Sequence, residues 1–139
     1  MPVRRRPPKV PAGDIHDPVR TVTEFVVLTA DENDTIDLVT RRMKLFDCGA
    51  LLVKYKSGDT GILSERDILG AIAESQQHRT AGELATKDPL TIDAEKDIGA
   101  AAILMTVAGV RHLVVCDADT EGIVSLRDLV GPLLASATE

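Results

Sequence analysis

Gly61-Ile62-Leu63-Ser64-Glu65-Arg66-Asp67-Ile68-Leu69 returns later in the chain as Gly122-Ile123-Val124-Ser125-Leu126-Arg127-Asp128-Leu129-Val130. Five of the nine positions are identical, and the other apolar positions of the first copy stay apolar in the second. The offset is 61 residues throughout. A repeat of this period is one structural unit made twice. In each copy Ser-x-x-Asp stands where a strand-like apolar run gives way to a helix-like one. That junction is the candidate working part.

The match extends outward on both sides. Ile36, Val39 and Met43 correspond to Ile98, Ala101 and Met105 at an offset of 62. The turn at 56–60 is one residue longer than the turn at 118–121, which accounts for the slip. Leu28-Thr29 matches Leu90-Thr91, and residues 21–25 align with 80–84 at an offset of 59. On that alignment the second copy carries three extra residues near Thr86-Lys87-Asp88. Each copy reads as a short strand (26–29; 90–92), an acidic turn, and a helix with apolar residues at three- and four-residue steps. Two strands follow (50–55 and 61–64; 113–116 and 122–125), divided by turn residues, and a second helix (65–74; 126–135) closes the unit.

The fold expected is therefore α+β: two β-α-β-β-α repeats packed with pseudo-twofold symmetry, repeat 1 over 21–78 and repeat 2 over 79–136. A lone unit of about 60 residues buries only roughly 60% of its unfolded surface, so the two copies are expected to share one module. Hydrophobic residues make up 44% of the chain but aromatics only 2%, namely Phe25, Phe46 and Tyr55. A flat ligand would lie between aliphatic side chains and backbone.

The net charge of −6 hides a division. Residues 1–11 hold Arg4, Arg5, Arg6 and Lys9, four prolines and no acid, which leaves −10 (−6 less 4) on the rest. A disordered basic Pro-rich tail is expected over 1–20. The acidic body argues against a nucleic-acid groove. The arginines are followed by prolines, so no secretory pattern is read, and the longest apolar stretch is too short for a membrane span. Cys48 and Cys116 stand at non-equivalent repeat positions and read as free thiols of a cytoplasmic protein.

Catalytic chemistry is missing from the sequence. His16, His78 and His112 are the only histidines, and no metal-ligand spacing, nucleophile elbow or phosphate-binding glycine loop occurs. No catalytic residue and no metal site is expected. Ser-x-x-Asp itself has two readings. As a capping box, the Ser accepts from a backbone N–H and the acid three residues on bonds back. As a ligand site, a helix N-terminus with a hydroxyl suits a phosphate, and a carboxylate suits paired ribose hydroxyls. The two are compatible.

With its β-α-β-β-α repeat ending in Gly-Ile-x-Ser-x-Arg-Asp, the chain resembles the CBS domain, named after cystathionine beta-synthase, whose members come as tandem pairs called Bateman modules. The resemblance covers residues 21 to 136, and copy two is the closer match through Val110-Arg111-His112-Leu113-Val114-Val115. It implies a non-catalytic, homodimeric sensor, needing no cofactor, that controls a partner protein. AMP, ADP, ATP or S-adenosylmethionine would bind as the regulatory ligand in clefts between the copies. It further implies that Asp67 and Asp128 hold ribose hydroxyls, that Ser64 and Ser125 lie near phosphates, and that Ile62 and Ile123 contact the base. Arg111 and His112 match a phosphate-contacting position, which in copy one holds uncharged Gly49 and Ala50. One dominant nucleotide cleft per chain is the corresponding expectation, with Asp67 opposite Arg111 and His112. The alternatives are a degenerate pair serving only as a dimerisation scaffold, and a nucleic-acid-associated regulator using the basic arm.

Overall fold

A computed structural model describes residues 14–137. Within it the chain forms two compact units, one of residues 27–89 and one of residues 14–26 with 90–137. The basic residues Arg4 to Lys9 lie outside the described residues.

The first unit contains β1 (Thr29–Asp31), α1 (Ile36–Leu45), β2 (Ala50–Lys54), β3 (Thr60–Ser64), α2 (Glu65–Ala73), the single-turn helix α3 (Ala81–Leu84) and β4 (Thr86–Lys87). Its sheet has the order β1-β2-β3-β4, with β1 parallel to β2 and the other pairs antiparallel. The central strands carry continuous apolar runs, and Leu51, Val53 and Leu63 are fully buried. Thr35 starts α1 by accepting from the Leu38 N–H. The stripe Ile36, Val39 and Met43 then turns to the core.

The second unit contains a 3₁₀ turn (Val19–Val22), β5 (Thr91–Asp93), α4 (Ile98–Ala108), β6 (His112–Asp117), β7 (Thr120–Ser125) and α5 (Leu126–Ala137). Asp97 caps the start of α4, and Gly109 ends it in the left-handed conformation at φ 68°. Leu113, Val115, Val124 and Leu129 form its core with Val19 and Val22. The folded chain thus begins before residue 21, where the first repeat was expected to start.

Backbone hydrogen bonds correct the alignment of the repeats. Ala81 N–H donates to the Asp34 carbonyl and Gly82 N–H to the Glu32 carbonyl; Val19 and Arg20 donate in the same way to Lys96 and Ala94. Thr86 pairs with Ile62, and Glu24 pairs with Ile123. The offset is therefore 62 for this segment, not 59, and Thr86-Lys87 are not an insertion. They form β4, whose counterpart in the second unit is reduced to a single bridge at Glu24. Each unit is a β-α-β-β-α repeat closed by a short arm, and in the second unit residues 14–26 supply that arm.

The first strands also begin later than the apolar residues suggest, at Thr29 and Thr91 rather than 26 and 90. Ladder pairing decides this, since Thr29 and Thr91 register with Leu52 and Val114. Val26 is 72% exposed and Leu90 41%, so these apolar side chains are not core.

The hairpin between β6 and β7 places Ala118 at φ 53°. A left-handed conformation costs an L-residue roughly 1–2 kcal/mol, and glycine avoids it at some entropic cost. Ala118→Gly should therefore raise stability by up to about 1 kcal/mol, read as a higher melting temperature. A lower melting temperature would contradict the strained turn.

Candidate functional site

Both Ser-x-x-Asp motifs are formed capping boxes. In the first unit Ser64 N–H and Oγ–H donate to Asp67 Oδ2 at 2.9 and 3.0 Å, and Asp67 N–H donates to Ser64 Oγ at 3.3 Å. In the second unit Ser125 and Asp128 make the same three bonds at 2.8, 2.9 and 3.3 Å. These bonds satisfy backbone donors that a helix start leaves open. The capping-box bonds to each carboxylate go to Oδ2.

Side chains two apart on a strand share a face. Ile62 therefore lies on the face of Ser64, and Ile123 on that of Ser125, while Leu63 and Val124 point into the cores with no exposure. Ile62 and Ile123 keep 9% and 8% of their surface. Apolar residue, hydroxyl and carboxylate thus follow one another along one edge of each unit.

The residues before the central strands meet the same end of the sheet. Gly49 carbonyl accepts from Glu65 N–H at 3.0 Å, and Arg111 carbonyl accepts from Leu126 N–H at 2.8 Å. Ala50 pairs with Ser64, and His112 pairs with Ser125. Within the second unit Arg111, His112, Ser125 and Asp128 therefore come together, with the Arg111 side chain exposed and His112 half-buried. The first unit has Gly49 and Ala50 in their place, and a Cβ on Gly49 would stand 3.0 Å from Glu65 Oε1.

Two features of the surroundings were not legible in the motif. Cys116 faces Asp93 and Glu121 across the ladder. Burial, with these two carboxylates, pushes its thiol up from its ordinary value, away from nucleophilic chemistry. A concavity of the first unit, about 570 Å³, is lined by Tyr55 among others and does not include Ser64 or Asp67. Part of its lining comes from the α3–β4 segment, in which Thr86-Lys87-Asp88 read in the sequence as extra residues. Among the described residues no group of three or more His, Cys, Asp or Glu could hold a metal ion. No helix among them is long and apolar enough to cross a membrane.

Residues 81–134 match the family model described as CBS domain. No curated protein matches the chain. Among solved structures, a CBS domain protein from Pyrobaculum aerophilum complexed with AMP is 25% identical, covering 88% of this chain and 99% of that one with a TM-score of 0.73. The CBS domain of a CBS domain containing membrane protein from Sphaerobacter thermophilus is 26% identical, covering 84% and 88% with a TM-score of 0.66. A CBS domain pair in complex with 5′-methylthioadenosine and S-adenosyl-L-methionine is 23% identical, covering 81% and 95% with a TM-score of 0.71.

Proposed function

We propose that this chain is a CBS-domain pair, its second repeat matched by the family model and its first making the same hydrogen bonds, and that it is a non-catalytic regulatory module binding an adenosine-containing ligand. The observation that carries this reading is the duplicated edge Ile62-Ser64-Asp67 and Ile123-Ser125-Asp128. Each edge offers an apolar contact for a base, a hydroxyl near a helix start and a carboxylate for ribose hydroxyls. AMP on the Pyrobaculum relative supports the ligand class. The partner it controls is another protein, and the setting is cytoplasmic. A homodimer fits the exposed apolar residues Ile103 and Val107 on α4 and Val130 and Leu134 on α5.

Thermal shift with AMP, ADP, ATP and S-adenosylmethionine tests the reading. A ligand at 100 times its dissociation constant adds about 2.7 kcal/mol, so at least one should raise the melting temperature clearly. Because complete capping boxes explain Ser-x-x-Asp without a ligand, a flat response to all four would favour the scaffold.

Arg111 adds a cation to the second unit that Gly49 withholds from the first. Arg111→Ala should weaken AMP about tenfold, as loss of one charge-assisted contact does, and leave adenosine nearly unchanged. Calorimetry with both ligands checks this, and equal weakening of both would remove Arg111 from phosphate recognition.

A further inference from the structure

The first unit carries a groove that the second lacks the residues to build. Its lining includes Glu32, Asn33, Tyr55, Arg79, Gly82 and Lys87. The Tyr55 hydroxyl donates to the Gly82 carbonyl at 2.7 Å, and the Lys87 ammonium stands 5.1 Å from its ring centroid. Gly82 allows the close approach, since a Cβ there would fall 2.7 Å from Glu32 Cβ. Glu32, Asn33 and Tyr55 also wall an adjoining concavity of about 350 Å³.

The internal repeat serves as a control. At the offset of 62, positions 32, 55, 79 and 87 correspond to Ala94, Asp117, Asp17 and Phe25 in the second unit. The backbone bonds of residues 81 and 82 and the bridge of Thr86 have counterparts there at 19, 20 and 24, without any of the four groove side chains. Those bonds therefore do not require Glu32, Tyr55 or Arg79.

Charge in the groove is mixed and incompletely used. Arg79 bonds Gln76 and the Glu83 carbonyl and stands 3.9 Å from the Glu83 carboxylate, engaging only part of its guanidinium. The Glu32 carboxylate raises the Tyr55 hydroxyl's pKa alongside burial, the larger cause. A simple anion would meet the carboxylates of Glu32 and Glu83, and a simple cation would meet Lys87 and Arg79. A molecule bearing both signs satisfies both sets. We propose that this groove binds a free α-amino acid, its carboxylate toward Lys87 and Arg79 and its ammonium toward Glu32, independently of the adenosine-binding edges.

Calorimetry of the full chain with each common L-amino acid in turn tests this, with inorganic phosphate as the plain-anion control. At least one amino acid should bind. Its N-acetyl and carboxamide derivatives, each lacking one charge, should bind about tenfold more weakly or worse. Glu32→Gln and Lys87→Gln should weaken the amino acid to a similar degree while leaving the response to AMP unchanged. The proposal is overturned if no amino acid binds, if the derivatives bind equally well, if both variants bind as the parent does, or if phosphate alone binds as tightly. Failure here leaves the adenosine reading standing, because AMP is measured on the same variants.

Discussion

Val19→Asp is expected to destabilise the second unit by about 3 kcal/mol or more, the range for an unpaired charge or polar group in a core. Val19 is fully buried among Ile98, Leu113 and Leu129, although it precedes that unit's remaining elements by some seventy residues of sequence. Its backbone is also tied in, since its N–H donates to the Lys96 carbonyl at 2.7 Å. The arm is thus an integral part of the core of this unit. Urea denaturation gives the size of the loss, and amide exchange gives its place: residues 91–130 should lose protection before residues 29–87. Stability within about 0.5 kcal/mol of the parent, as for a surface substitution, would show that the arm does not close this unit.

Gly122→Ala is expected to cost about 1–3 kcal/mol, the usual range for overpacking. A Cβ at this position would stand 2.7 Å from Phe25 Cδ1 and Thr23 Cγ2 and 2.8 Å from the Glu24 carbonyl oxygen. That carbonyl accepts from Ile123 N–H, and Glu24 N–H donates to the Ile123 carbonyl, so it cannot withdraw without breaking the bridge. Gly70 is the control: it lies inside α2 with nothing within 4 Å of an added Cβ. Gly70→Ala should stabilise by roughly 0.5–1 kcal/mol through helix propensity. Opposite signs for the two changes, read from denaturant midpoints, are the expected result. Two changes of the same sign would contradict the close approach of residues 23–25 to β7.

The residues that could be read in the sequence were those whose side chains declare their environment. Val39, Met43, Ala101 and Met105 fall at helical steps and are buried on helices, and Ser-x-x-Asp signals a helix start that both units possess. The arms could not be read in this way, because their placement depends on long-range backbone bonds. Nothing in Val19-Arg20-Thr21-Val22 says that its amides seek carbonyls at 94 and 96. Apolar Val26 and Leu90 imitate strand residues while remaining exposed, which moved the expected first strands forward. The groove around Tyr55 was hidden for the same reason, since part of its lining comes from the α3–β4 segment. At the candidate site, capping and ligand binding make the same demand on sequence, so spacing alone does not separate them.

Calorimetric titration of AMP into the full chain and into the Asp67→Asn, Asp128→Asn double variant separates them. Asparagine keeps a side-chain oxygen that can accept from the serine N–H of the capping box and loses the charge that strengthens a bond to ribose hydroxyls. The expected result is measurable AMP binding by the parent, weakened about tenfold or more in the variant, with a melting temperature that falls little. Absence of AMP binding by the parent, or undiminished binding by the variant, would contradict the assignment of these carboxylates to an adenosine-containing ligand.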